Sequence, residues 1–179
     1  MSGIITDNVG RAGGLVKAAG AAGWTLATEQ ASTSGTSLTF GSIPAGVKHI
    51  DLIFADLSSS GNDNFLVQLG DASGIETSGY VSAAGGFDSS THSTPQNNTT
   101  GFILNNVTGA TMVIAGVVSF WLEDAANFTW ISTHTHKYSN TARSHGGGSK
   151  SLSAELTQLK ILFTGSDTFD SGAVNIQYL

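Results

Sequence analysis

Apolar residues recur at every second position along short segments of this chain, most clearly at Ile50, Leu52 and Phe54. A period of two puts all three on one face of a β-strand. The same alternation appears at Leu38 and Phe40, at Leu159, Ile161 and Phe163, and at Val174, Ile176 and Tyr178, where Asn175 and Gln177 fill the other face. Turn chemistry separates these segments. Ile43-Pro44-Ala45-Gly46 combines a fixed φ with a residue that accepts φ > 0, residues 58–64 are small and polar, and residues 164–167 read Thr-Gly-Ser-Asp. The pattern predicts strands over 24–31, 37–43, 49–56, 65–70, 79–83, 101–104, 111–122, 128–135, 150–156, 158–163 and 174–178. Residues 112–122 are the most apolar and suit a strand buried on both faces. Leu152, Leu156 and Leu159 fall at helical spacing, but the alternation that follows favours strands. The expected fold is all-β, an antiparallel β-sandwich or barrel.

The pattern changes near residue 23, so the expected division is an amino-terminal arm over 1–23 and a β-domain over 24–179. The arm has no sustained period and centres on Gly10-Arg11-Ala12-Gly13-Gly14. Each interior glycine costs a helix about 1 kcal/mol relative to alanine, so an extended arm is expected. Ile4, Ile5, Leu15 and Val16, with Arg11 and Lys17 among them, offer a partner-binding strip. Each aliphatic side chain gains roughly 1.5–3 kcal/mol if fully covered. A loose chain end is the alternative.

Composition narrows the function. Only 11% of residues are charged, against about a quarter in an average soluble domain, and the net charge is −6 with 7 Lys and Arg. No basic face can neutralise phosphates, so nucleic acid is not an expected partner. The chain has no cysteine, which removes disulfides, thiolate catalysis and cysteine-bound zinc. No basic start followed by an apolar run marks a secretory signal, and residues 112–122 fall well short of the roughly 20 that a membrane helix needs, so synthesis in the cytosol without membrane insertion is expected.

Candidate chemistry is sparse. His134 and His136 stand two apart on an expected strand, share a face and supply half a metal site, which copies meeting at an axis could complete; a polar surface edge is the plainer reading. Asp63, Asp71, Glu76, Asp167 and Asp170 lie near strand ends, where carboxylates either hold hard cations or bond turn amides. Gly146-Gly147-Gly148-Ser149-Lys150-Ser151 lacks the order and spacing of a phosphate loop and reads as a flexible loop entering a strand. There is no Gly-x-Ser-x-Gly elbow, so the chain is expected to be neither an enzyme nor a cofactor binder. Trp121, Phe128, Trp130 and Tyr138 bracket an expected turn at 123–127, and Trp121, Trp130 and Tyr138 are candidates for stacking on a glycan.

Residues 37–80 resemble a β-rich module of tailed-bacteriophage virion proteins, in which strand, turn and strand lead into Gln68-Leu69-Gly70-Asp71, Gly74-Ile75-Glu76 and Gly79-Tyr80. Residues 165–176 resemble the end of that module, and the arm resembles the leader of phage accessory proteins. The resemblance implies a jelly-roll-like sandwich, a non-enzymatic virion protein of fibre type, and a homo-oligomer, typically a trimer. It implies other virion proteins as partners, and a host-surface glycan where the protein binds a host. Capsid decoration and a free lectin-like module are the alternatives.

Overall fold

A computed structural model describes residues 23–88, 90, 92–104 and 109–179. The arm residues Ile4, Ile5, Arg11, Leu15, Val16 and Lys17 lie outside them. The described residues form two antiparallel sheets with no helix. In chain order the strands are β1 (Thr25–Leu26), β2 (Gln30–Ala31), β3 (Ser37–Phe40), β4 (His49–Ser59), β5 (Phe65–Asp71), β6 (Gly74–Ile75) and β7 (Val81–Phe87). They continue with β8 (Gln96–Asn98), β9 (Phe102–Ile103), β10 (Ile114–Asp124), β11 (Thr129–Lys137), β12 (Arg143–Ser151), β13 (Gln158–Phe163) and β14 (Phe169–Tyr178). The large sheet has 9 strands in the order β1-β14-β4-β10-β11-β12-β7-β8, with β2 also on β14. The small sheet has 5, in the order β3-β13-β5-β6, with β9 on β5.

Period-two patterning puts one core between the sheets. Ile50, Leu52, Phe54, Val118, Phe120, Trp130, Val174 and Ile176 contribute from the large sheet. Phe40, Val67, Leu69, Leu159, Ile161 and Phe163 contribute from the small one. Strand β5 is buried along its whole length because its second face, at Leu66, joins Ala84 and Ile103 in a smaller cluster. Polar bonds tie the sheets there: Ile103 N–H donates to Ser82 Oγ at 2.9 Å, and Ser144 Oγ donates to the Leu104 carbonyl at 2.9 Å.

Several elements differ from the sequence expectation. Strand β10 is buried on one face only, since Val117 and Trp121 are exposed on the other. The segment 24–31 is split into β1 and β2, and residues 152–157 lie outside any strand. The triple glycine is not a flexible loop: it lies inside β12, paired with β11 and β7. A Cβ at Gly146 or Gly148 would collide with the carbonyl oxygen of Ala83 or Val81, and one at Gly147 with that of Ser132. Glycine here permits close approach of strands, one of its uses inside a sheet.

Candidate functional site

Residues of the 68–80 tract meet Lys150 and Ser153 in one polar knot. Lys150, on β12 and almost fully buried, forms an ion pair with Glu76 and donates to the Ser151 carbonyl at 2.7 Å. Its ammonium stands 5.5 Å from the centre of the Tyr80 ring, within cation–π range. Tyr80 Oη accepts the Leu69 N–H at 2.8 Å and donates to the Glu76 carbonyl at 2.9 Å. Asp71 accepts from Ser153 Oγ at 2.6 Å and from the Ser73 N–H at 2.7 Å, and these two bonds, Ser153 first, hold its carboxyl below the usual range despite burial. Burial pushes the Glu76 carboxyl up, but hydrogen bonds from Lys150 and Ser153 outweigh it and leave the group lowered. Each charge in the knot is matched by a fixed partner, as a structural network requires. The knot joins the β5–β6 hairpin to β12 and the loop after it.

Of the other acids, Asp63 and Asp167 bond loop amides, and Asp170 sits in β14 against β4. Asp63 N–H donates to Asp167 Oδ2 at 2.7 Å, and Asp167 N–H donates back to Asp63 Oδ2 at 2.9 Å. Asp170 accepts from Ser58 Oγ. No group of three or more His, Asp or Glu side chains placed to hold a metal occurs among the described residues.

His134 and His136 share a face, as their spacing requires, but that face points into the core. They are 3% and 2% exposed, so they form no surface edge and cannot meet a copy of themselves on an axis. Burial depresses the pKa of His134 to about 4, with a hydrogen bond to the Leu104 backbone opposing the shift, and that of His136 to about 3. Among the described residues, neither ring nitrogen of His136, nor Nε2 of His134, has a hydrogen-bond partner.

The aromatic candidates separate. Trp130 and Tyr138 follow the inward register of β11 and are buried, whereas Trp121, on β10, is 40% exposed on the outer face of the large sheet. Trp121 therefore shares no surface with the other two. Its neighbours are ones the spacing did not reveal, because they come from distant segments: His49 at 4.8 Å between ring centres, with Trp24 4.7 Å beyond His49. Register carries the row onward through Ile131 and Ser149 to Val81. Beside it, Asp51 accepts from Ser119 Oγ at 2.6 Å and from Gln177 Nε2 at 2.9 Å, and its other contact is His49 Nε2 at 3.0 Å. At the far side of the face a groove of about 400 Å³ runs between Val81, Ala83, Asn97, Gly147 and Gly148. Beside the β10–β11 turn a separate cavity of about 240 Å³ is lined by Val47, Leu122, Phe128, Trp130 and Leu156, with Lys48 and Glu155. Comparison of the chain with protein-family models, with curated proteins and with solved structures found no match.

Proposed function

We propose that this chain is a non-enzymatic structural protein of a bacteriophage particle, a fibre-type component with a jelly-roll-like sandwich facing outward and residues 1–23 as its attachment arm. The observation that carries this reading is the polar knot. The residues by which the chain resembles virion proteins, Gln68 to Asp71, Glu76 and Tyr80, spend their polar groups on one another and on the scaffold rather than on an open cleft. What the fold leaves outward is a broad, weakly charged apolar face, which suits assembly through shape. The arm would leave from the edge of the large sheet, where Gly23 precedes β1.

A second reading, a glycan-binding module, is favoured by the 240 Å³ cavity beside the β10–β11 turn, where Phe128 and Trp130 supply aromatic walls and Lys48 and Glu155 a polar margin. Purified particles, separated into heads and tails and counted by quantitative mass spectrometry, test the proposal. A few copies per tail support the fibre role, and hundreds per head would make it a decoration protein. Absence from both fractions overturns the virion reading and leaves the glycan module, which an oligosaccharide array would then address.

A further inference from the structure

The outer face of the large sheet has relief as well as apolar character. One side carries a ridge, Trp24, His49, Trp121 and Ile131, and the other carries the groove floored by Ala83, Gly147 and Gly148, where side chains are short or missing. Trp24, Leu26, Val81, Val117, Trp121 and Ile131 are all exposed, a concentration of large apolar side chains that a soluble domain seldom leaves on one face. We propose that this face binds a second copy of the same chain, the ridge of each copy seated in the groove of the other about a two-fold axis parallel to the strands.

Three observations support a copy rather than another occupant. First, ridge and groove lie on the same face, displaced across the strands, so one rotation makes both contacts at once, as a self-complementary interface requires. Second, the size is right. With β10 of one copy over β7 of the other, the six strands from β4 to β8 overlap; at about 4.8 Å spacing they cross roughly 24 Å, and about 20 Å along the strands gives an area near 500 Å² per partner, which reaches the ~1,000 Å² in total that a specific interface needs. Third, the face can be desolvated. In the rows from Trp121 to Val117 and their cross-strand partners, Asp51 is the one formally charged side chain among the described residues, and Ser119, Gln177 and His49 already engage it. An unmatched charge would make such a contact costly.

The inference is independent of where the protein works, so its failure would leave the virion reading standing. The test is the solution mass of the full chain by light scattering after size exclusion, for the wild type, Trp121→Lys, Ala83→Glu and an equal mixture of the two variants. Both positions are exposed, and circular dichroism verifies that each variant folds. The expected wild-type state is a dimer, or an even assembly built from it. Either substitution should weaken association at least tenfold and halve the mass. Mixing should restore it, because the introduced lysine of one chain then faces the introduced glutamate of the other while the second ridge and groove remain native. A wild-type monomer or trimer, a mass that ignores either substitution, or a mixture that stays dissociated would each overturn the proposal.

Discussion

The imidazole rings of His134 and His136 stack 5.5 Å apart, 24° from parallel, inside the core between the two sheets. Folding holds both rings neutral by lowering their pKa values to about 4 and about 3, against an ordinary value of 6.5. The unfolded chain therefore binds protons that the folded chain refuses. Stability is complete above the unfolded pKa and falls as pH drops below it, by roughly 1.4 kcal/mol per pH unit for each ring until the folded values are reached. Urea unfolding at pH 7.5, 6 and 5 should show a loss of a few kcal/mol before the carboxylates, also lowered at Asp71 and Glu76, begin to titrate. A flat profile down to pH 5 would mean that the rings reach water or a counter-charge.

His136 adds a second test, because it has two buried ring nitrogens and, among the described residues, no partner for either. An unmet buried donor costs about 1–3 kcal/mol, and leucine fills a similar volume without one. His136→Leu should raise stability at pH 7 by about 1 kcal/mol and remove half of the acid-dependent loss. A drop in stability would assign the ring a polar role in the core.

The Lys150–Glu76 pair behaves differently, because both charges are already matched. Removing one partner leaves the other charged and poorly hydrated, a loss of about 3–5 kcal/mol for a fully buried pair. The Glu76 side chain is 21% exposed and neighbours solvent, so Lys150→Met and Glu76→Gln should each cost nearer to about 2–3 kcal/mol. The double variant should cost clearly less than the sum, and chemical denaturation of the four proteins measures the coupling. Additive losses would show that the two residues act separately.

Much of this architecture is legible in the chain. Alternation at Ile50, Leu52 and Phe54 and at Leu159, Ile161 and Phe163 gives the buried faces, and the turn expected at 123–127 does fall between β10 and β11, at 125–128, where Asp124 at the end of β10 accepts the Ala126 N–H at 2.8 Å. What escaped is tertiary. Gly146 to Gly148 carry the signal of a loop because glycine is locally permissive, and only the neighbouring carbonyl oxygens explain them as strand residues. Trp130 and Trp121 look alike along the chain, yet odd and even register send one to the core and the other outward. The Trp24–His49–Trp121 row could not be read from spacing, since β4 and β10 pair across a long sequence separation and β1 reaches β4 only across β14.

The bulge where β4 meets β14 offers a graded test of backbone against contact. Asp56 has φ of 53°, Gly172 has φ of 97°, and the register between the strands shifts around Ser171. The shift lets Phe54 and Leu57 both face the core, so the bulge re-aims side chains, as such features do. Alanine at Gly172 would suffer twice: its φ is unfavourable for an L-residue, and its Cβ would collide with the Asp56 carbonyl oxygen. Gly46 has φ of 85° with nothing near its Cβ, and Gly41 has neither constraint. Strain alone costs on the order of 1 kcal/mol, and forcing a backbone shift adds about 1–3 kcal/mol. Urea denaturation should therefore rank Gly41→Ala as near neutral, Gly46→Ala as losing about 1 kcal/mol, and Gly172→Ala as losing about 3 kcal/mol. Equal losses at Gly46 and Gly172 would show that β4 and β14 do not approach each other this closely, and that Phe54 and Leu57 reach the core by some other geometry.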